Sequence, residues 1–210
     1  MSALSKIAYY QKRRDEIPNQ DLARQLAESN DKQGIQEIAE NLWNKNKNIR
    51  SDCLKVLYEI GYINPELIAD YVEDFLKLLK DKNNRLVWGA MIGLATIAEK
   101  RPREIWQQID EVIRAVDQGT VITVVWGVKT LATIAAADPE YHARLFPILI
   151  AQLQKCIPRD LPIHAESVLV AVDKSNPVEY QSVLEARQTE LTTSQRGRLR
   201  KITNQLKAHS

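Results

Sequence analysis

Four proline residues recur at a nearly constant interval, and each one ends the same short pattern. The segments LYEIGYINP, LATIAEKRP, LATIAAADP and LVAVDKSNP end at Pro65, Pro102, Pro139 and Pro177, with spacings of 37, 37 and 38 residues. In every segment a leucine stands eight residues before the proline. A repeat of this length is typical of a chain built from similar units that bury their apolar faces against each other. It constrains the fold more than any other feature of the sequence.

Each proline marks a boundary between two helices. The residue before a proline avoids the helical conformation, whereas proline itself is tolerated at the first helical position, where its missing N–H costs no hydrogen bond. Asn64, Asp138 and Asn176 precede three of the prolines, and these residue types are good helix N-caps. We therefore expect a first helix, called A, to end before each proline and a second helix, called B, to begin at it.

In both helices of the repeat, the apolar residues recur at the spacing of a helix that buries one face. In the first complete unit, the apolar residues of helix A are Ile49, Cys53, Leu54, Leu57 and Ile60, and those of helix B are Ile68, Val72, Phe75, Leu76 and Leu79. No segment alternates in the manner of a strand. The sequence therefore predicts an all-α protein, a right-handed α-α superhelix of about five helical hairpins.

The repeat also divides the single predicted domain, residues 1–210, into units. We expect repeats at 48–80, 84–117, 120–155 and 160–190. We expect residues 1–47 to form an atypical first repeat, with helices near 3–16, 20–29 and 33–45 and with Pro18 as a helix breaker. Residues 193–208 are predicted to form a closing helix, because the ends of a repeat array must present a polar face. The cations of that helix are Arg196, Arg198, Arg200, Lys201 and Lys207. We expect a solvated cap with favourable charge near its C-terminal end; contact with nucleic acid is the alternative.

Composition narrows the classes of function. Lys and Arg number 29 against 27 Asp and Glu, so a net charge of +2 gives no strong overall attraction to nucleic acid or to an anionic membrane. The two cysteines fit a reducing compartment, and no apolar run approaches the ~18 residues of a membrane span. We expect a cytoplasmic protein. Metal-ligand spacings, glycine-rich phosphate loops and nucleophile elbows are missing, so no metal, cofactor or small-molecule site is predicted.

Two segments resemble the HEAT repeat, which belongs with the armadillo-like α-solenoids. KNKNIRSDCLKVLYEIG (45–61) is similar to the HEAT A helix, with Ile49 and Arg50 leading into Cys53, Leu57 and Gly61. LFPILIAQLQK (145–155) is similar to the HEAT B helix, including its internal proline. This resemblance implies a curved solenoid whose B helices line the concave side. It also implies binding to a protein or a nucleic acid, usually without catalysis.

A second, weaker resemblance is to the HEAT-like DNA alkylation-repair glycosylases. The segment IAENLWNKNKNIRSDCLKVL (38–57) is similar to the early Leu-Trp region of that family, and WQQID places Trp106 and Asp110 four residues apart. This resemblance implies that the indole and the carboxylate bind a cationic base and stabilise the sugar left behind. Residues four apart on one helix are surface neighbours. The alternative is that Trp106 covers a seam between helices and that Asp110 is solvated.

The repeat register places a set of polar residues on the predicted concave face. They are Asp70, Glu73, Lys77, Arg103, Gln107, Arg114 and Arg144. Because the charge changes from acidic to basic along the array, this face suits a protein partner better than a phosphate backbone, which needs many cations together. The leading hypothesis is a non-enzymatic scaffold that binds a protein. The alternative is a DNA-binding or DNA-repair protein.

Overall fold

The computed structural model describes the backbone of residues 2–209 and the side chains of residues 2–206. All regular structure in this range is helical, and the described residues contain no strand, which confirms the prediction of an all-α protein. The α-helices are α1 Ile17–Glu28, α2 Lys32–Glu40, α3 Lys47–Ile63, α4 Val72–Leu78, α5 Asn84–Ile97, α6 Pro102–Gln107, α7 Ile109–Gln118, α8 Val121–Ala137, α9 Pro139–Lys155, α10 Leu161–Val168, α11 Pro177–Ala186 and α12 Thr193–His209. Short 3-10 turns occupy Leu4–Lys6, Asn41–Trp43, Pro65–Leu67, Ala69–Tyr71, Leu169–Ala171 and Gln188–Glu190.

The helices form two compact units, residues 1–126 and 127–210, and the boundary falls within α8. In the first unit, α3 is central and packs against α1, α2 and α5, while α4 packs against α5. In the second unit, α9 packs against α10 and α11, and α12 covers α10 and α11. Each unit has its own set of fully buried apolar side chains, as a helical hairpin needs a neighbour to cover its apolar face.

All four repeated prolines begin a helical element, as the sequence predicts. Pro65 begins a 3-10 turn, and the other three begin α6, α9 and α11. Asn64 and Asp138 act as N-caps, because their side chains accept hydrogen bonds from backbone N–H groups two residues later. The same prediction for Asn176 is wrong. Its Oδ1 instead accepts a hydrogen bond from the backbone N–H of Asp173 at 3.0 Å.

The first two B helices are not continuous, contrary to the sequence prediction. The first consists of two 3-10 turns followed by α4, and the second breaks between α6 and α7 at Gln108, with φ −121° and ψ 27°. Ile68 and Ile109 lie at these breaks and are almost completely buried. The backbone thus departs from helical regularity where an isoleucine enters the core. Surface residues before and after each break therefore do not follow one continuous helical register.

The predicted helix over residues 3–16 is also wrong. Only Leu4–Lys6 forms a 3-10 turn, and the backbone N–H of Ala8 donates to the buried side chain of Asn19 at 2.9 Å instead of to a helical carbonyl. Pro18 lies in the first turn of α1, so it helps to begin a helix and does not break one. Tertiary hydrogen bonds, which the sequence pattern does not reveal, set the path of this segment.

Arg50 links α3 to the preceding hairpin and to the turn that follows its own hairpin. From α3, its Nε donates to the carbonyl of Leu42 at 2.8 Å, in the turn after α2. Its Nη2 lies 2.6 Å from Oδ2 of Asp81, in the turn after α4. The arginine position that carries the HEAT resemblance therefore makes contacts on both sides of α3.

Candidate protein-binding surface

The predicted partner-binding residues are all exposed. Asp70, Glu73 and Lys77 come from the first B segment of the first unit, Arg103, Gln107 and Arg114 come from α6 and α7 in the same unit, and Arg144 lies on α9 in the second unit. Their role in binding stays a prediction. The first six share one compact unit, so the geometry of that unit can be used to argue what it would bind.

Two of these carboxylates contact the next hairpin. Asp70 accepts a hydrogen bond from Nη2 of Arg101 at 2.7 Å, and Glu73 accepts one from Nε2 of Gln108 at 2.9 Å. The Asp70 side chain nevertheless keeps 86% of its surface exposed. An exposed ion pair contributes little to stability because water screens it. These contacts therefore fix where the carboxylates lie while leaving them accessible to a partner.

A tryptophan that the sequence analysis did not select lies beside this group. Trp43 ends the turn after α2 and is 50% exposed. Its Nε1 donates to Oδ1 of Asp74 at 3.0 Å, and Cζ of Arg50 lies 5.9 Å from its ring centroid. An indole held at its edge in this way presents a rigid apolar surface to solvent. Exposed, fixed tryptophans are frequent anchors in protein interfaces.

Negative charge acts on Tyr71, which lies three residues before the Asp74 that holds this tryptophan. Burial raises the pKa of the Tyr71 phenol, and the negative charges of Asp70, Glu40 and Asp74 raise it further. Three carboxylates from two successive hairpins therefore lie around one aromatic ring. We call Glu40, Asp70, Glu73 and Asp74, together with Trp43 and Tyr71, the acidic strip.

The acidic strip has the chemistry that recognises cationic side chains. Carboxylates accept charge-assisted hydrogen bonds from Lys and Arg. Aromatic faces attract the same cations and pack against their aliphatic stems. A segment that carries several Lys or Arg residues would meet both features at once.

The sequence-based assumption that Trp106 and Asp110 lie on one continuous helix is wrong. Trp106 lies in α6 and Asp110 in α7, and the backbone leaves the helical conformation at Gln108 between them. The spacing of positions four apart on one continuous helix therefore does not apply to them. A catalytic role for this pair stays a prediction that lacks its original geometric basis.

Among the residues that the structure describes, three other features would bear on function: a metal-binding cluster, a membrane-spanning helix and a reactive thiol. Within residues 2–206, no group of three or more His, Cys, Asp or Glu side chains is placed to hold a metal ion. None of the described helices is long and apolar enough to cross a membrane. Cys53 is fully buried, and burial raises the pKa of its thiol to about 12. It is therefore an unreactive core thiol.

No protein-family model matches the chain, and no curated protein matches it by sequence. Solved structures do match. A designed armadillo repeat protein in complex with the peptide (KR)4 superimposes with a TM-score of 0.67 at 14% identity, over 88% of this chain and 85% of that one.

Two further solved structures extend this likeness. Computationally designed armadillo repeat proteins for modular peptide recognition give a TM-score of 0.65 at 14% identity, over 88% of this chain and 85% of theirs. An engineered protein of the Northeast Structural Genomics Consortium gives 0.67 at 16% identity, over 99% of this chain and 100% of that one. The chain therefore has an all-α, armadillo/HEAT-like helical-repeat fold.

Proposed function

We propose that this chain is a non-enzymatic repeat scaffold that binds a protein partner through the B-helix surface of its first unit. The observation that carries this proposal is the half-exposed indole of Trp43, hydrogen-bonded to Asp74 at the edge of the acidic strip. The solved repeat proteins designed for peptide recognition support it by their fold.

We further propose that the part of the partner on the acidic strip is an extended segment rich in Lys and Arg. Four carboxylates and two aromatic rings from successive hairpins offer repeated subsites for cationic side chains. One of the solved neighbours, a designed protein, is itself bound to an alternating Lys-Arg peptide. Further along the same unit, the exposed Arg103 suits an acidic residue of the partner.

The test is a binding titration with a fluorescent, eight-residue, alternating Lys-Arg peptide, followed by fluorescence anisotropy. The Trp43→Ala variant should bind at least about tenfold more weakly, since a tryptophan that anchors an interface contributes more than about 1.4 kcal/mol. Glu73→Gln should weaken binding about two- to fivefold, the range of one exposed ion pair.

The matched control is Glu185→Gln, which removes the same charge from an exposed position in the second unit. It should leave the affinity unchanged. A second control peptide replaces every Lys and Arg with Gln and should not bind. If Trp43→Ala and Glu73→Gln bind the basic peptide as the unmodified protein does, the acidic strip is not its binding surface.

A further inference from the structure

Helix α12 concentrates positive charge in its first half. Arg196, Arg198, Arg200 and Lys201 lie within the first nine residues of this 17-residue helix, which contains no Asp or Glu. The sequence prediction of favourable charge near the C-terminal end is therefore wrong for these four cations. The partial positive charge at a helix N-terminus acts within the first turn, so of these four cations it disfavours Arg196.

The protein itself compensates only one of these charges. Arg198 pairs with Glu166 of α10, whereas Arg196, Arg200 and Lys201 make no ion pair among the described residues. Leu199, Ile202 and Leu206 are buried and fix the rotation of the helix, which leaves Arg200 and Lys201 exposed and Arg196 half-buried at the flank of the buried face. This part of α12 therefore carries three cations that have no carboxylate partner among the described residues.

We propose that the first half of α12 is a surface that binds the phosphate backbone of a nucleic acid. Arg196 and Arg200 are four residues apart, or about 6 Å along the helix axis, so both guanidinium groups can reach phosphates of the same strand. The planar guanidinium group matches a phosphate bidentately, which an isolated charge does not. This proposal is independent of the acidic strip, which belongs to the other unit.

Two other anionic partners fit the surface less well. A helix that lies on a membrane inserts large apolar side chains, but the exposed described residues of α12 are all polar, charged or glycine. An acidic polypeptide offers carboxylates, which a guanidinium group also binds bidentately, but at irregular spacing along a flexible chain. The experiment separates it from a phosphate backbone directly.

The test measures binding of a fluorescent 20-nucleotide oligothymidylate to the whole chain at several salt concentrations. Each phosphate neutralised in a single strand contributes about −0.7 to the slope of log affinity against log salt, so three cations give about −2. Affinity should therefore fall about twentyfold between 50 and 200 mM salt. The triple variant Arg196→Gln, Arg200→Gln, Lys201→Gln should lose this salt-dependent binding.

A matched control removes three exposed lysines elsewhere, in the variant Lys32→Gln, Lys45→Gln, Lys174→Gln. It has the same net charge as the α12 variant and should bind the oligonucleotide as the unmodified protein does. Equal weakening in both triple variants would show that only net charge matters and would overturn the proposal. So would equally tight binding of polyglutamate of matched charge, or failure of the unmodified protein to bind at 50 mM salt.

Discussion

Replacing Arg50 with methionine should weaken the first unit by disconnecting α3 from the preceding hairpin and from the turn after α4. Methionine keeps most of the aliphatic stem but removes the hydrogen bond to the Leu42 carbonyl and the ion pair with Asp81. Both members of the pair are about four-fifths buried, with side-chain exposures of 19% and 21%. Solvent therefore screens this contact less than a surface ion pair.

The expected cost follows from these two contacts. A hydrogen bond to a charged group contributes about 1.5–3 kcal/mol, so Arg50→Met should lower the free energy of unfolding by about 3 kcal/mol. For a chain of this size, that corresponds to a decrease in melting temperature of about 6–12 °C. Tryptophan fluorescence is the appropriate signal, because Trp43, Trp88, Trp106 and Trp126 all lie in the first unit.

A double-mutant cycle with Asp81→Asn isolates the pair itself. Burial alone would raise the pKa of Asp81, but hydrogen bonds from the Asn83 N–H and from Arg50 outweigh it and hold that pKa below its ordinary value. A carboxyl whose pKa is lowered by folding stabilises the protein above its unfolded pKa of about 4. This stabilisation is lost as the pH falls through the folded pKa.

Urea titrations at pH 7 should therefore give a coupling energy of about 1–3 kcal/mol between the two positions. The coupling should shrink as the pH is lowered below about 4. A coupling under about 0.5 kcal/mol at pH 7 would refute the argument that this pair holds α3 to the turn after α4, since independent sites agree to within that margin.

Two further predictions concern buried side chains. Tyr180→Phe removes the bond from the phenol to the Ala165 carbonyl at 2.7 Å, but that carbonyl still accepts the N–H of Leu169. Thermal unfolding should therefore show a loss of only about 1 kcal/mol, and a loss above about 3 kcal/mol would contradict this account. Cys53 in a Cys156→Ser background should react with a maleimide at pH 8 at least about a hundredfold more slowly than in urea, because burial keeps the thiol neutral. Equal rates would show that the site is open.

The repeat could be predicted from sequence because its physical causes are local. Proline at a helix start, a capping residue before it and apolar residues at helical spacing all act within one hairpin. The breaks at Ile68 and Gln108 could not be predicted in this way. They depend on how a side chain enters the core between hairpins, which the spacing of residues within one hairpin does not describe.

The candidate surface was predictable only in part, for the same reason. Asp70 and Glu73 follow from the repeat register, since they are polar positions outside the apolar stripe. Trp43 does not, because its contact with Asp74 joins residues 31 positions apart in different hairpins. The sequence signal that could have found this pair is an aromatic residue followed by an acidic residue nearly one repeat length later.

The most direct test of the proposed binding surface is the NMR signal of the Trp43 indole N–H during titration with the alternating Lys-Arg peptide. The account predicts that this signal shifts with the same midpoint as binding, because the indole donates to Asp74 within the acidic strip. It also predicts that the indole signals of Trp88 and Trp126 stay unchanged. Saturable peptide binding that leaves the Trp43 signal in place would contradict the account.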